Sequence, residues 1–269
     1  MDSTRPALGR KDPASASNDA GPSATSEQTP GARAIQKLHH WRDLLASFHF
    51  PRDVPLAVQV LSHRQNHVLP AEVADVLQGI DGYLHPLEAG LLYWAARTWP
   101  QDGPVVELGS YQGRSTVLFA LGGRQVHAVD AWQSDVSDLT SFTFSGLAPE
   151  TAFANFKQNL RAARVENRVS VHRGLTGAIA AGWQAQCALL FVDASHDYEA
   201  VASDLKAWSP HLHPVGLLLM HDVVTSRCRG VTRAAGELID QGWKVVASSG
   251  SVVAFTRGKR LLQQTRRIL

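Results

Sequence analysis

Apolar runs and helical spacings alternate along residues 104–256. Short apolar runs bounded by glycine and polar residues predict buried strands, and apolar residues three and four apart predict helices. The pattern gives seven strands, and the last two form a closing hairpin whose final strand is antiparallel to its neighbour. We therefore expect an α/β fold with a mostly parallel sheet. The predicted strands are 104–107, 125–129, 169–172, 188–192, 215–220, 243–247 and 251–256, and the helices between them are 115–121, 151–164, 198–208 and 231–241.

The first hundred residues carry no strand pattern. Residues 1–33 contain almost no large apolar side chains, so they cannot bury enough surface to offset the entropy of ordering, and we expect a disordered tail. Residues 34–100 carry helical patterns at 35–48, 71–78 and 86–98. We expect this helical segment to pack on the sheet or to cap the substrate side of the fold.

The composition limits the class of protein. The apolar fraction of 44% is enough for a substantial core. We expect the folded domain to span residues 101–260 and to be followed by a short tail at 261–269. No apolar run approaches the roughly 18 residues of a membrane span. Cys187 and Cys228 give no disulfide framework and no zinc-ligand spacing. Because a secretory signal is also missing from the first residues, we expect a cytoplasmic protein. A formal charge of +2 is too small to favour nucleic acid as a partner.

A glycine-containing stretch follows the first predicted strand and reads E-L-G-S-Y-Q-G-R-S from Glu107 to Ser115. A turn between a strand and a helix brings backbone amides and a helix N-terminus close to a ligand. Gly109 allows a close approach of the backbone, and Gly113 lets the turn bend where a Cβ atom would clash. The dinucleotide-binding pattern G-x-G-x-x-G is absent.

Polar residues end four of the predicted strands. Ligands bind beyond the carboxyl ends of the strands in an open parallel sheet, so these residues are candidates for chemistry. A carboxylate after the second strand can accept hydrogen bonds from both hydroxyls of a ribose, although a cap or turn aspartate is the alternative. The strand-end residues are Glu107, Asp130, Asp193, His221 and Asp222.

These motifs resemble those of class I S-adenosylmethionine-dependent methyltransferases. The loop E-x-G-x-x-x-G-x-S resembles their nucleoside-binding loop, and residues 191–205 resemble the segment D-x-x-H-x-Y-x-x-V-x-x-D-L of a family 24-like group. That group includes macrolide-sugar and cephalosporin-type enzymes, whose partner motif G-G-x-x-x-x-H/D-D stands at 215–222 with Val215 replacing the first glycine. The resemblance implies a Rossmann-like sheet of seven strands with helices on both faces, extra N-terminal helices and S-adenosylmethionine as cofactor.

The resemblance also implies which residues contact the cofactor. Asp130 falls at the ribose, and Trp132 and the Gly174-Leu175 pair fall at the adenine, with a core tryptophan and a simple loop as the alternatives. The implied contacts are Glu107, Gly109, Ser110, Tyr111, Gly113, Ser115, Asp130, Ala131, Trp132, Gly174, Leu175 and Asp193.

The catechol-type O-methyltransferases share this layout, and the resemblance to them implies a metal site and a general base. When the roles in those enzymes are transferred to the matching positions of this sequence, the implied metal ligands are Asp193, His221 and Asp222, and the implied base is His196. A divalent cation lowers the pKa of a hydroxyl, and a histidine can take its proton. Because Mg²⁺ prefers oxygen ligands, His221 leaves three alternatives open: Mg²⁺ on the two carboxylates, a softer ion such as Mn²⁺, or no metal, with His221 as a second catalytic residue or substrate contact. For His196, the alternative is a helix cap or a solvated side chain.

The sequence thus predicts methylation of a hydroxyl on a small molecule or a sugar-bearing natural product. Two other functions stay open: N-methylation of a small-molecule amine without metal, and a non-catalytic scaffold that keeps the fold. Residues 134–149 form a long polar and aromatic stretch that we predict to be a substrate lid. The resemblance further implies a homodimer formed through the N-terminal helices.

Overall fold

The structure, a computed structural model, describes residues 54–133 and 147–258. The predicted tail, the predicted helix 35–48, most of the predicted lid and the C-terminal tail lie outside the described residues. The helices are α1 (Val54–Ser62), α2 (Ala71–Gln78), α3 (Pro86–Thr98), α4 (Arg114–Leu121), α5 (Pro149–Ala162), α6 (Thr176–Ala181), α7 (Tyr198–Trp208) and α8 (Arg229–Asp240). The strands are β1 (Val105–Leu108), β2 (Val126–Asp130), β3 (Val169–Arg173), β4 (Cys187–Val192), β5 (Leu212–Met220), β6 (Lys244–Ser249) and β7 (Val252–Thr256).

All seven strands form one sheet in the order β3-β2-β1-β4-β5-β7-β6. The strands from β3 to β5 in this order pair in parallel, whereas β7 is antiparallel to both β5 and β6. β1 and β4 are buried along their whole length, as expected for central strands that are covered on both faces. The predicted sheet, including its antiparallel last strand, is confirmed.

Helices cover both faces of the sheet, and each face has its own apolar core. On one face, Leu77 of α2, Leu91 of α3 and Phe119 of α4 pack in a shared cluster. On the other face, Trp208 of α7 and Leu238 of α8 belong to a second cluster. Fully burying one such side chain contributes about 1.5–3 kcal/mol, so the two clusters hold the carboxyl ends of the strands in fixed positions.

The hydrophobic pattern of the sequence does not predict two of the short helices, α1 and α6. In α1, apolar residues lie on the exposed side (Val58) as well as on the buried side (Leu56 and Val60), so the sequence shows no clear helical period. In α6, the segment T-G-A-I-A-A buries only Ala180, and small residues carry little information on periodicity. Among the residues that the structure describes, no helix combines the length and apolar character needed to cross a membrane.

Candidate active site

The candidate site forms because the parallel hydrogen-bond ladder continues one residue past the strand ends. The amide of Gly109 donates to Val129 O (2.9 Å), and the amide of Asp193 donates to Leu108 O (2.9 Å). In the same way, the amide of His221 donates to the last residue of β4 (3.2 Å). These bonds bring the glycine loop and the polar residues after β4 and β5 side by side at one edge of the sheet.

A cavity of about 650 Å³ opens at this edge. Its volume lies within the roughly 300–1,000 Å³ that is typical of small-molecule sites. Residues of the glycine loop form one side, and the residues that follow β4 and β5 form another. Of the predicted site residues, those lining the cavity are Gly109, Ser110, Tyr111, Ser115, Asp130, Asp193, His196, His221 and Asp222; Glu107, Gly113, Ala131, Trp132, Gly174 and Leu175 are not among them.

Both glycines of the loop have left-handed backbones, with φ of 87° at Gly109 and 85° at Gly113. A Cβ atom on Gly109 would lie 2.3 Å from the carbonyl oxygen of Asp193, and one on Gly113 would lie 2.9 Å from the Phe156 ring. The clash predicted for a Cβ atom at Gly113 is present, whereas the close approach at Gly109 is to the chain after β4, and its approach to a ligand stays a prediction. The fit of Gly109 against the chain after β4 brings the loop close to Asp193.

Asp130, at the end of β2, holds the glycine loop through backbone amides. Its Oδ2 atom accepts from the amides of Ser110 (2.9 Å) and Tyr111 (2.8 Å), and its Oδ1 atom accepts from the amide of Trp132 (2.8 Å). A carboxylate has about four acceptor sites, so these three bonds leave one, on Oδ1, for a ligand. Asp130, which the sequence predicts to bind ribose, thus positions the loop.

The residues predicted to contact adenine, Trp132, Gly174 and Leu175, do not line the cavity. Trp132 is buried, its indole N–H donates to Tyr111 O (2.8 Å), and its ring contacts Phe153 and Phe156 at centroid distances of 4.8 and 4.9 Å. These contacts match the alternative of a core tryptophan. Leu175 precedes α6 and is 53% exposed.

A cluster of imidazoles and carboxylates occupies the side of the cavity formed after β4 and β5. His196 Nε2 lies 2.8 Å from Asp222 Oδ2. His221 Nδ1 lies 3.1 Å from Asp193 Oδ1 and 3.3 Å from Asp222 Oδ2. Asp222 has a φ of 57°, an uncommon backbone for a residue other than glycine, and such strain is frequent at functional sites. The structure brings together all four residues predicted for catalysis and metal binding.

Comparison with known proteins identifies this arrangement. Residues 106–223 match the family model described as a methyltransferase domain, which runs from β1 through the glycine loop to the His221-Asp222 pair. The chain contains a methyltransferase domain.

Solved O-methyltransferases share the fold of this methyltransferase. NovP is 16% identical with a TM-score of 0.53, over 66% of this chain and 84% of NovP. The Bacillus cereus O-methyltransferase in complex with SAH is 18% identical with a TM-score of 0.51, over 70% of this chain and 91% of its own. TomG from Streptomyces achromogenes, involved in tomaymycin synthesis and in complex with SAM, is 16% identical with a TM-score of 0.52. The match covers 71% of this chain and 92% of TomG. The predicted Rossmann-like methyltransferase fold is confirmed.

The methyltransferase also has a site residue that sequence reasoning missed, Glu88 on α3. Its Oε2 atom accepts from the His85 amide (2.8 Å) and lies 3.4 Å from His221 Nε2. Its Oε1 atom accepts from both the amide (2.6 Å) and the hydroxyl (2.9 Å) of Ser251. The first contact belongs to a capping box, whose pattern the sequence contains, but His85 is an unusual cap residue. The contact with His221 joins residues far apart in the chain, and no local pattern predicts it.

Buried charges in this cluster shift one another's pKa values. Burial acts to lower the pKa of His221, but the carboxylates of Asp193, Asp222 and Glu88 raise it well above its ordinary value. Burial acts to raise the pKa of Asp222, but hydrogen bonds and charge from His196 and His221 lower it well below its ordinary value. The hydrogen bond to Asp222 raises the pKa of His196. Carboxylates thus lie at both ring nitrogens of His221.

The donor atoms of Asp193, His221 and Asp222 all lie within 4.8 Å of one another, so this set fits a divalent ion. Adjacent ligands of an octahedral ion with bonds of about 2.1 Å are roughly 3 Å apart, close to the 3.1 and 3.3 Å at His221 Nδ1. Glu88 faces the other ring nitrogen, as carboxylates often do behind a metal-bound histidine. Because the set includes an imidazole, it suits Mn²⁺ better than Mg²⁺.

The carboxylate of Glu107 supports the glycine loop of this methyltransferase through hydrogen bonds. The side chain is fully buried at the end of β1, and its Oε2 atom accepts from the hydroxyls of Ser110 (2.9 Å) and Thr116. Burial raises the pKa of Glu107 to about 7 from an ordinary value of 4.5, although nearby hydroxyls act in the opposite direction. The residue predicted as a cofactor contact therefore supports the loop without lining the cavity.

This pKa predicts how stability depends on pH. Between pH 4.5 and about 7, the unfolded chain has lost the Glu107 proton while the folded chain keeps it, so the free energy of unfolding falls as pH rises through this range. Above about pH 7 both states are ionised, and the contribution of Glu107 stays constant. The full difference amounts to about 3 kcal/mol. Glu107→Gln cannot ionise, so its stability relative to wild type should increase from pH 5 to pH 8 in urea unfolding without cofactor. Parallel pH profiles of the two proteins would refute a raised pKa.

Proposed function

We propose that this protein transfers a methyl group from S-adenosylmethionine to a hydroxyl of a small molecule, with His196 as the general base. The observation that carries the proposal is the position of His196. Its imidazole lines the same cavity as the glycine loop and lies 2.8 Å from the Asp222 carboxylate. Methyl transfer requires a cofactor site and a proton acceptor that face one space, and this cavity combines them.

The reaction is an in-line displacement. A lone pair of the acceptor oxygen attacks the methyl carbon, the bond from this carbon to the sulfonium sulfur breaks, and S-adenosylhomocysteine leaves. The hydroxyl proton passes to the imidazole of His196, and Asp222 stabilises the imidazolium that results. The glycine loop, which Asp130 holds in place, aligns the donor with the acceptor.

We further propose that Asp193, Asp222 and His221 hold a divalent ion. Such an ion would lower the pKa of the acceptor hydroxyl and so complement the base. The acceptor is proposed to be a small molecule, in accordance with the size of the cavity. A cytoplasmic location, homodimerisation and the absence of a nucleic-acid partner stay predictions from the sequence.

Calorimetric titration with SAH, followed by methyl transfer from labelled S-adenosylmethionine to a panel of hydroxyl compounds and matched amines, tests the proposal. We expect SAH binding with EDTA present and transfer to hydroxyl compounds that increases when Mn²⁺ replaces EDTA. Transfer to the amines alone, unaffected by EDTA, would replace our proposal with N-methylation. No SAH binding would leave only the scaffold function.

A further inference from the structure

A second group of metal-binding side chains lies beside the proposed ion site. The group consists of His196, Asp222 and Cys228, whose ligand atoms all lie within 4.8 Å of one another. Cys228 directly precedes α8, is 4% exposed and lines the cavity, and its thiol interacts with Asp222. We propose that these three residues form a binding site for Zn²⁺ that competes with the carboxylate-rich site for Asp222.

The donor set is one that zinc prefers. A thiolate, an imidazole and a carboxylate provide three of the four ligands of a tetrahedral ion, and water completes the shell. Bonds of about 2.0–2.3 Å place such ligand atoms roughly 3.3–3.6 Å apart, so side-chain rotations that close about an ångström assemble the site. The charges of one thiolate and one carboxylate balance the ion, which favours binding in a largely buried place.

The cysteine makes this site selective. The Cys228 thiol is 4% exposed and must lose its proton to bind a metal ion. A thiophilic ion displaces that proton and forms the metal–sulfur bond, whereas Mg²⁺ does not. The two overlapping sites are thus expected to prefer different ions.

Zinc at this site would inhibit the enzyme. The ion would occupy a nitrogen of His196 and withdraw Asp222 from the set that it shares with Asp193 and His221. This consequence rests on the proposed role of His196 as the base, whereas the zinc site itself does not. Binding of the metal and transfer of the methyl group therefore need separate measurements.

Titration with Co²⁺ tests the site directly, because a cobalt–thiolate bond gives a charge-transfer band in the near ultraviolet. We expect this band in the full-length wild-type protein and in Cys187→Ala, the matched control, since Cys187 lies buried in β4. Cys228→Ala should lack the band and bind Zn²⁺ at least about 100-fold more weakly in calorimetry. His196→Ala keeps the thiol but should also weaken Zn²⁺ binding.

Three outcomes would overturn the zinc site: wild-type protein saturated with Co²⁺ but without the band, a band that persists in Cys228→Ala, or unchanged Zn²⁺ affinity in His196→Ala. SAH titrations of the same proteins report separately on the methyltransferase function. Wild-type protein that binds SAH but lacks the band would refute only the zinc site, and wild-type protein that shows the band but does not bind SAH would refute only the cofactor proposal.

Discussion

Asp130→Asn is expected to weaken SAH binding by about two orders of magnitude, nearly as much as Asp130→Ala. The carboxylate accepts three backbone amides, from Ser110, Tyr111 and Trp132. An asparagine has only one acceptor atom, so either orientation of its amide points N–H groups at backbone N–H groups. Hydrogen bonds to a charged acceptor contribute about 1.5–3 kcal/mol each, and a loss in this range corresponds to roughly a hundredfold in affinity.

Calorimetric titration with SAH measures this effect, and Asp75→Asn on α2 is the matched control. Asp75 is exposed and does not line the cavity, so its variant should bind SAH like wild type. If Asp130 served only as a ribose contact, asparagine would keep part of the interaction and bind clearly better than alanine. An asparagine variant with wild-type affinity would contradict the role of Asp130 in holding the loop.

The part of the site that could be predicted from the sequence is the part fixed by regular structure. Apolar runs such as β4 identify central strands, and the residue after each run must lie at the ligand-binding edge of a parallel sheet. This reasoning places Asp193, His221 and Asp222 together, and the structure shows the cluster. The sequence likewise predicts a turn at Gly109 and Gly113, and both glycines have left-handed backbones.

The rest depends on contacts that no local pattern contains. Glu88 occupies a polar position early in a helix, and only the packing of α3 brings it to His221 and Ser251. The same limit applies to Trp132. Its position after a strand end is compatible with a ligand contact or with the core, and only tertiary packing places its ring against Phe153 and Phe156. Sequence reasoning thus finds the strand-end residues but not the residues that orient them.

His196→Ala is expected to lower methyl transfer by about 10²–10⁴-fold while leaving SAH affinity unchanged, because a general base acts on the acceptor and not on the cofactor. His63→Ala is the matched control, since its side chain bonds locally to Gln59 O at 2.9 Å and does not line the cavity. The measurement is the initial rate with an acceptor found in the panel above, together with SAH calorimetry. A variant that keeps the wild-type rate would exclude His196 as the base.

The pH profile distinguishes a base from a residue that only shapes the cavity. A base must be neutral to accept a proton, and the hydrogen bond to Asp222 raises the pKa of His196 above its ordinary value of 6.5. The wild-type rate should therefore rise with pH through an inflection above 6.5, and His196→Ala should lack that inflection. Asp222→Asn removes the charge that raises the pKa, so its inflection should move down towards 6.5. If the inflection survived in His196→Ala, the group that titrates would be another one, and the charge cluster around His221 would be the next place to look for the base.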